Sequence, residues 1–534
     1  MIKRTLALLM CMILALSVCA CGNNNNDNTT TTPSATEKPT VVETLPEIKK
    51  PDNIGNMSFS NAFYKPILGA VMYNVDISKA EDYEILGLRC LQGLVARNDS
   101  AQIYLSDDQN DSFWITRLTD EYGIIVKNLT VAECFEKFAK KIEGVVNYSA
   151  DNENSALTAV YLASQNDAIA WPSANANELN EYLQKQVDVK SDTSMIDTAK
   201  MSLDKQLETA KGMYAGAVSS NCDFIDYLYA VGAVMVTADD DSIVTQLVKS
   251  EKFERPAVLF CENEKHLKTA SVNGFGVLDI HGFSNSTLFS SFTNANVNSG
   301  TTKGDSALSE ETENYASIEI VVDEKTAFGD NMSYLLKNNR RGSTCITFSI
   351  SPAIYELAPP IASWYSAGRR SITSLSADCT GYMSVDLSVF PAEHTETYFA
   401  RSKTFINAFR FSIIESDANK AVETKITENL GNVNVLGSNS SVKIINIDNI
   451  YSFKDYELPK SNTPFYCIRI NACDLTTSTF QQLENLVAKF QQTNDNTEFL
   501  LLEDLFATIK EQEKQTATTT TTVATTTTAT TTAK

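Results

Sequence analysis

TVAECFEKFAKKIEGVVNYSADNENSALTAVYLASQNDAIAW, residues Thr130–Trp171, holds two helix–strand units in succession. Thr130 with Glu133 three positions on is a capping box, which satisfies two otherwise orphaned backbone N–H groups and opens a helix. The spacing predicts that helix to Ile142. Val145-Val-Asn-Tyr148 then reads as a strand, Ala156 to Ser164 as a helix and Ala168-Ile-Ala-Trp171 as a strand. Upstream the pattern is the same. Tyr83 to Arg97 is a helix, Gln102-Ile-Tyr-Leu105 a strand, Ser112 to Tyr122 a helix and Ile124-Ile-Val126 a strand. Short strands alternating with helices are βαβ units, and these assemble into largely parallel sheets.

The second half repeats the alternation. Its strands are expected at Ser317–Val322, Thr344–Ile350, Ser371–Ser376, Val433–Leu436, Val442–Ile447 and Phe465–Ile470. A last strand, Glu498-Phe-Leu-Leu-Leu502, leads into a helix from Glu503 to Gln512. The fold expected is α/β. An N-terminal α/β region with a parallel sheet occupies residues 58–300, as one or two subdomains. A polar linker at 301–314 joins it to an irregular (β/α) barrel-like domain at 315–512.

The two ends are different material. Lys3 and Arg4 precede the apolar run from Leu6 to Val18, and Cys19-Ala-Cys-Gly22 follows. A basic start, a short apolar stretch and small residues at a cleavage point make an export signal, here residues 1–21. The segment Val18-Cys-Ala-Cys21 resembles the lipobox of bacterial lipoproteins, which implies lipidation at Cys21. Residues 22–57, rich in Asn, Thr and Pro, suit a disordered tether between an acyl anchor and the folded part. The expected location is the extracellular face of a bacterial cell membrane. Residues 513–534 are nearly all Thr and Ala after Thr516, a composition that cannot build a core, and are expected to be a disordered tail.

Composition narrows the function. Apolar residues make up 43% of the chain, enough for real cores, and the formal charge is −22. A chain this acidic is a poor partner for a phosphate backbone, so no nucleic acid is expected. The three histidines, His266, His281 and His394, lack metal-ligand spacing, so neither a metal nor a cofactor is expected. The eight cysteines after Cys21 are scattered through apolar surroundings and read as small core residues. The protein is expected to act as a monomer.

Polar residues collect just after the expected strands of the second half. Asp323, Asp330 and Asn331 follow the first, and Ser351-Pro352 the second. Asp378 and Tyr382 follow the third, Asp448 ends Val442–Ile447 and Asn471 ends Phe465–Ile470. In (β/α) barrels the working groups come from these C-terminal strand ends. Converging carboxylates there could cleave a glycosidic bond. Single Asp and Asn residues are also common helix caps, so the signal is the coincidence over several strands. Glu262-Asn-Glu264, Asp279 and Asn285 form a second polar group that could equally be a solvated loop. Trp364 could stack on a sugar face or belong to the core.

These segments resemble the GxGYxYP family of candidate glycoside hydrolases. Leu91-Gln-Gly-Leu-Val-Ala-Arg97 with Ile103-Tyr-Leu105 is similar to its N-terminal motif. Ala327-Phe-Gly-Asp-Asn331 is similar to its Ser-Asp-Gly-Asp-Asn segment, and Phe348 to Pro360 and Phe499 to Ile509 follow in order. The resemblance implies an α/β N-terminal region, a barrel-like domain, and a glycan as substrate or ligand. On the hydrolase reading Asp330, Asp378 and Asp323 are the expected catalytic residues, and Asn331, Tyr382, Gly381, Trp364 and Asp448 are expected to bind substrate. The eponymous motif departs from the family. At Cys379-Thr-Gly-Tyr-Met-Ser-Val385 only Gly381 and Tyr382 match, and Phe328 replaces an aspartate. Whether the chain is an enzyme therefore stays open. One reading is hydrolysis of extracellular glycans. Another is non-catalytic glycan binding or surface display. A third is a solute-binding lipoprotein of two similar lobes.

Overall fold

The computed structural model describes residues 62–98, 101–107, 109–292, 312–322, 344–367, 372–416, 419–431, 433–438, 440–447, 463–471, 479–494 and 496–529. The N-terminal region is α/β as expected, but it carries three small parallel sheets. The first has the order β2-β1-β3, from β1 (Val71–Asp76), β2 (Gln102–Ser106) and β3 (Ile125–Leu129). The second is β5-β4-β6, from β4 (Gly144–Tyr148), β5 (Ala168–Pro172) and β6 (Val189–Asp192). The third is β10-β9-β7-β8, from β7 (Tyr214–Ala217), β8 (Val234–Val236), β9 (Ala257–Cys261) and β10 (Phe275–Asp279).

Helix Asp82–Asn98 packs against β5, β2 and helix Ile225–Val231, and so ties the three sheets together. Its glycines permit this. A Cβ on Gly87 would lie 2.7 Å from the Trp171 ring, and one on Gly93 2.5 Å from the Asp226 carbonyl. Arg97 at its end donates to the carbonyls of Ala230 (3.1 Å), Ser164 (2.6 Å) and Tyr229 (2.6 Å). These belong to the last turns of two other helices, where unpaired carbonyls and the helix dipole both favour a cation. The capping box at Thr130 is present, with Glu133 N–H donating to Thr130 Oγ1 at 3.2 Å and Thr130 N–H to Glu133 Oε2 at 2.8 Å.

The C-terminal sheet has eight parallel strands: β11 (Asn314–Val321), β12 (Ile346–Ile350), β13 (Thr373–Ala377), β14 (Ile413–Glu415), β15 (Asn434–Leu436), β16 (Lys443–Ile447), β17 (Phe465–Asn471) and β18 (Thr497–Phe499). Their order is β15-β14-β13-β12-β11-β17-β16, with β18 on the first half of β11. The sheet curls into a half-barrel. Glu415 on β14 and Arg469 on β17 lie four strand intervals apart, roughly 19 Å in a flat sheet at about 4.8 Å per interval. Their side chains meet at 2.7 Å. Within this sheet β14 is the strand that the sequence reading leaves out; in the N-terminal region it leaves out β1, β6, β7, β8 and β10.

Alternation along each strand separates two surfaces. Ile318, Ile320, Phe348, Leu375 and Ile468 face outward into the main core. The concave face is layered. Near the strand starts, Tyr315, Ile413, Phe465 and Cys467 pack with Leu500, Leu502, Leu505, Phe506 and Ile509, so the last helix plugs the bottom of the half-barrel. Toward the strand ends the same face turns polar. That helix runs Leu502–Ala529, so the Thr/Ala tract, expected from 513 onward to lack regular structure, continues it. Its first turns are held by packing, and extension adds one hydrogen bond per residue once a helix is nucleated. Cys90, Cys134, Cys222, Cys261, Cys345 and Cys467 are buried.

Candidate active site

The polar layer of the half-barrel is built on one guanidinium. Arg469 Nε donates to Glu319 Oε2 at 3.0 Å, and Nη2 lies 2.7 Å from Glu415 Oε2. Ser376 Oγ donates to the other oxygen of Glu319 at 2.9 Å, and Ser349 Oγ donates to Glu415. Glu319 has no solvent exposure. Burial, the charge of Glu319 and that of Asp378 push the Glu415 carboxyl well above its usual range, against the pull of Arg469 and Ser349. Burial works against the charge on Arg469, but its two carboxylate neighbours outweigh it and hold the guanidinium protonated. None of these three was singled out from sequence. The available signal was a charge inside an apolar strand, as in Ile318-Glu-Ile320 and Ile468-Arg-Ile470.

Asp378 stands at the next position up, directly after β13. Its backbone N–H donates to Ile350 O at 3.3 Å, which fixes it at the rim. Oδ1 is buried and carries no hydrogen bond. Burial is the main reason that its carboxyl is raised to about 7, and the charges of Glu264 and Asp279 push the same way. Glu264 follows β9 and Asp279 is the last residue of β10. The C-terminal ends of the third sheet and of the half-barrel therefore meet at Asp378.

The Thr380–Val385 segment makes that junction. Val277 of β10 and Ser384 exchange both backbone hydrogen bonds, at 2.9 and 2.8 Å, and Ser384 Oγ donates to Glu264 Oε1 at 2.6 Å. Gly381 and Tyr382 serve this packing. A Cβ on Gly381 would fall 2.0 Å from Ser402 Oγ and 2.6 Å from the Tyr398 hydroxyl. Tyr382 is fully buried, stacked on Phe405 at 5.5 Å and edge-on to Phe63 at 6.0 Å. Both were expected to bind substrate; the structure puts them in the core. Trp364 is half-buried, and its ring is taken up by packing, with the Arg117 guanidinium over it at 4.1 Å and Phe113 edge-on at 5.6 Å. Asp323, Asp330, Asn331, Asp448 and Cys21 lie outside the described residues.

The second polar group divides. Glu262 is tied to Ser219, accepting from its N–H at 2.6 Å and its hydroxyl at 3.3 Å. Asn285, with a left-handed φ of 52°, accepts from Gln92 at 2.9 Å and Leu105 N–H at 2.7 Å, and is structural. Glu264 stays exposed, and Asp279 is half-buried. A cavity of about 660 Å³ opens one residue beyond Glu415, lined by Ser416, Asn419, Lys265, Lys268, Asp386 and Ser388. Among the described residues no group of three or more His, Cys, Asp or Glu could hold a metal ion. The arrangement offers a carboxyl that burial keeps partly protonated near neutral pH, within electrostatic reach of an exposed carboxylate, the elements of paired proton transfer.

Residues 71–140 match the GxGYxYP_N 1st domain. That span holds Gln92, Gly93 and Arg97, the residues whose packing ties the three N-terminal sheets together. Among solved structures, the crystal structure of a putative hydrolase from Bacteroides thetaiotaomicron superposes with a TM-score of 0.70 at 15% identity. The alignment covers 86% of this chain and 98% of that one, so the likeness of fold extends well past the GxGYxYP_N domain. No curated protein matches the chain.

Proposed function

We propose that this protein is a glycoside-hydrolase-like enzyme of the GxGYxYP type, with Asp378 as its proton donor. The observation that carries the reading is the Asp378 carboxyl, set at the rim with Oδ1 buried and unbonded, where Ser384, bonded to both Val277 and Glu264, joins the ends of two sheets. A carboxyl neutral near pH 7 can protonate the glycosidic oxygen as the C–O bond breaks. Glu264, oriented by the Ser384 hydroxyl, takes the proton of the attacking water. Arg469, held by Glu319 and Glu415, sets the charge beneath them without entering the reaction. The family match and the hydrolase-like neighbour support this class, and the cavity beyond Glu415 offers room for a sugar chain. The solute-binding alternative is disfavoured because the sheets, of three, three, four and eight strands, do not form two similar lobes.

The same proposal includes acylation of Cys21, supported by the lipobox-like Val18-Cys-Ala-Cys21 and the polar tether. The enzyme would then act at the outer face of the membrane on glycans within reach of that tether. The test is release of reducing ends from a panel of neutral polysaccharides by the wild type, Asp378→Asn and Glu264→Gln. Loss of a general acid lowers turnover by about 10²–10⁴. Full turnover in Asp378→Asn would refute the assignment. Binding without turnover in the wild type would make the protein a glycan-binding one on the same fold.

A further inference from the structure

The first sheet has a crevice of its own. Chain leaves β1 toward β2, while β3 lies on the opposite side of β1. In open parallel sheets the point where neighbouring connections diverge leaves a gap beyond the strand ends, and ligands bind there. At this point the structure has a cavity of about 590 Å³. Small-molecule sites run from roughly 300 to 1,000 Å³.

We infer that this crevice is a second ligand site, for a neutral polyhydroxylated molecule such as a short oligosaccharide. Its walls are Asn74, Asp76, Ser106, Asp107, Asn128 and Leu129. The register pairs Asn74 with Asn128 and Asp76 with Ser106, so these polar side chains stand side by side on one face of the sheet. Asn74 Nδ2 donates to Asn128 Oδ1 at 3.1 Å. That bond orients the Asn128 amide and leaves its nitrogen as a donor. Asp76 Oδ1 accepts from Ser78 N–H at 2.9 Å, which sets that carboxylate at the mouth. The Asp107 side chain has no hydrogen-bond partner among the described residues, while its backbone N–H is fixed by Asp111 at 2.7 Å.

This donor and acceptor set selects a chemistry. A carboxylate accepts from both hydroxyls of a vicinal diol, and an amide beside it can donate to a ring or glycosidic oxygen. Two carboxylates without a lining cation repel phosphate, sulfate and uronate. Leu129 gives one apolar wall for a sugar's C–H face. The whole crevice lies within residues 71–140, so the site belongs to the matched first domain and is separate from Asp378.

The test uses the full-length Asp378→Asn protein, so that a sugar held at the half-barrel is not consumed. An array of neutral and anionic oligosaccharides is screened, and its strongest neutral ligand is titrated by saturation-transfer NMR. Asp107→Asn and Asn128→Ala, each added to that background, should weaken binding about tenfold, as expected for a hydrogen bond to a charged group or its neighbour. Asn128→Asp, which keeps the shape and removes the donor, should do the same if the alanine variant folds poorly. In the wild-type background these substitutions should leave reducing-end release unchanged. Absence of any neutral ligand would overturn the inference. So would equal binding of anionic oligosaccharides, or binding indifferent to all three substitutions.

Discussion

Asp378→Asn should make the protein more stable while removing its activity. The folded state raises this carboxyl from an ordinary 3.8 to about 7, chiefly through burial. A raised carboxyl binds its proton more tightly folded than unfolded. Its contribution to stability is full below pH 4 and is lost as pH rises through about 7. At about 1.4 kcal/mol per unit, the loss reaches about 4 kcal/mol by pH 8, and roughly 2.5 kcal/mol of it falls between pH 5 and 8. Residual exposure of the side chain lowers these figures. Asparagine has nearly the same shape and cannot ionise, so the variant escapes the loss. Urea unfolding followed by tryptophan fluorescence at pH 5 and pH 8 reads the difference directly. The stability gap between variant and wild type should widen by about 2–3 kcal/mol across that range. A gap that does not change with pH would refute the claim that a neutral Asp378 is built into the fold. The same variant should release no reducing ends, since a destabilising group kept at a rim is expected where chemistry needs it.

Other perturbations probe the frame around it. Arg469→Met leaves Glu319 and Glu415 without their shared cation and should cost about 3–5 kcal/mol in urea unfolding; adding Glu319→Gln and Glu415→Gln should recover much of that loss. Gly381→Ala drives a Cβ into Ser402 and the rigid Tyr398 ring and should cost about 1–3 kcal/mol. Gly276→Ala meets the flexible Met383 side chain first and should cost less, so the two melting curves should separate. Leu505→Ala opens the plug of the half-barrel and should cost about 2–5 kcal/mol. Cys21→Ala should prevent acylation, and mass spectrometry of the mature N-terminus checks this.

Much of the architecture is legible in the chain. The capping box at Thr130, the β-branched runs and their spacing dictate alternating helices and parallel strands, and the structure has them. Leu91-Gln-Gly-Leu-Val-Ala-Arg97 is readable as a motif, although its purpose is not. Gly93 admits a neighbouring helix, Gln92 holds Asn285, and Arg97 caps two helix ends that come from elsewhere in the chain. Of the candidate site residues within the described structure, Asp378 stands at the rim, where its place after a strand put it. Gly381 and Tyr382 follow a strand equally well, yet packing encloses them, and Trp364, carried on helix Pro359–Ala367, is taken up by Arg117 and Phe113.

The sequence by itself determined the alternation of helices and strands, the place of most strands in the last sheet, and that the strands run parallel. Those are local matters, decided by backbone preference and by a period of two. Only the tertiary structure decided that the last sheet curls, because curl depends on the summed twist and register of many strands and not on any one of them. The curl brings Glu415 to Arg469 across four strand intervals, and a polar inner face, costly on a buried flat sheet, becomes a paired network. The docking of Ser384 on Val277 likewise sets Asp378 against Glu264 and Asp279. Proximity of groups more than a hundred residues apart is a property of packing, and it is what turns scattered carboxyls into a candidate site.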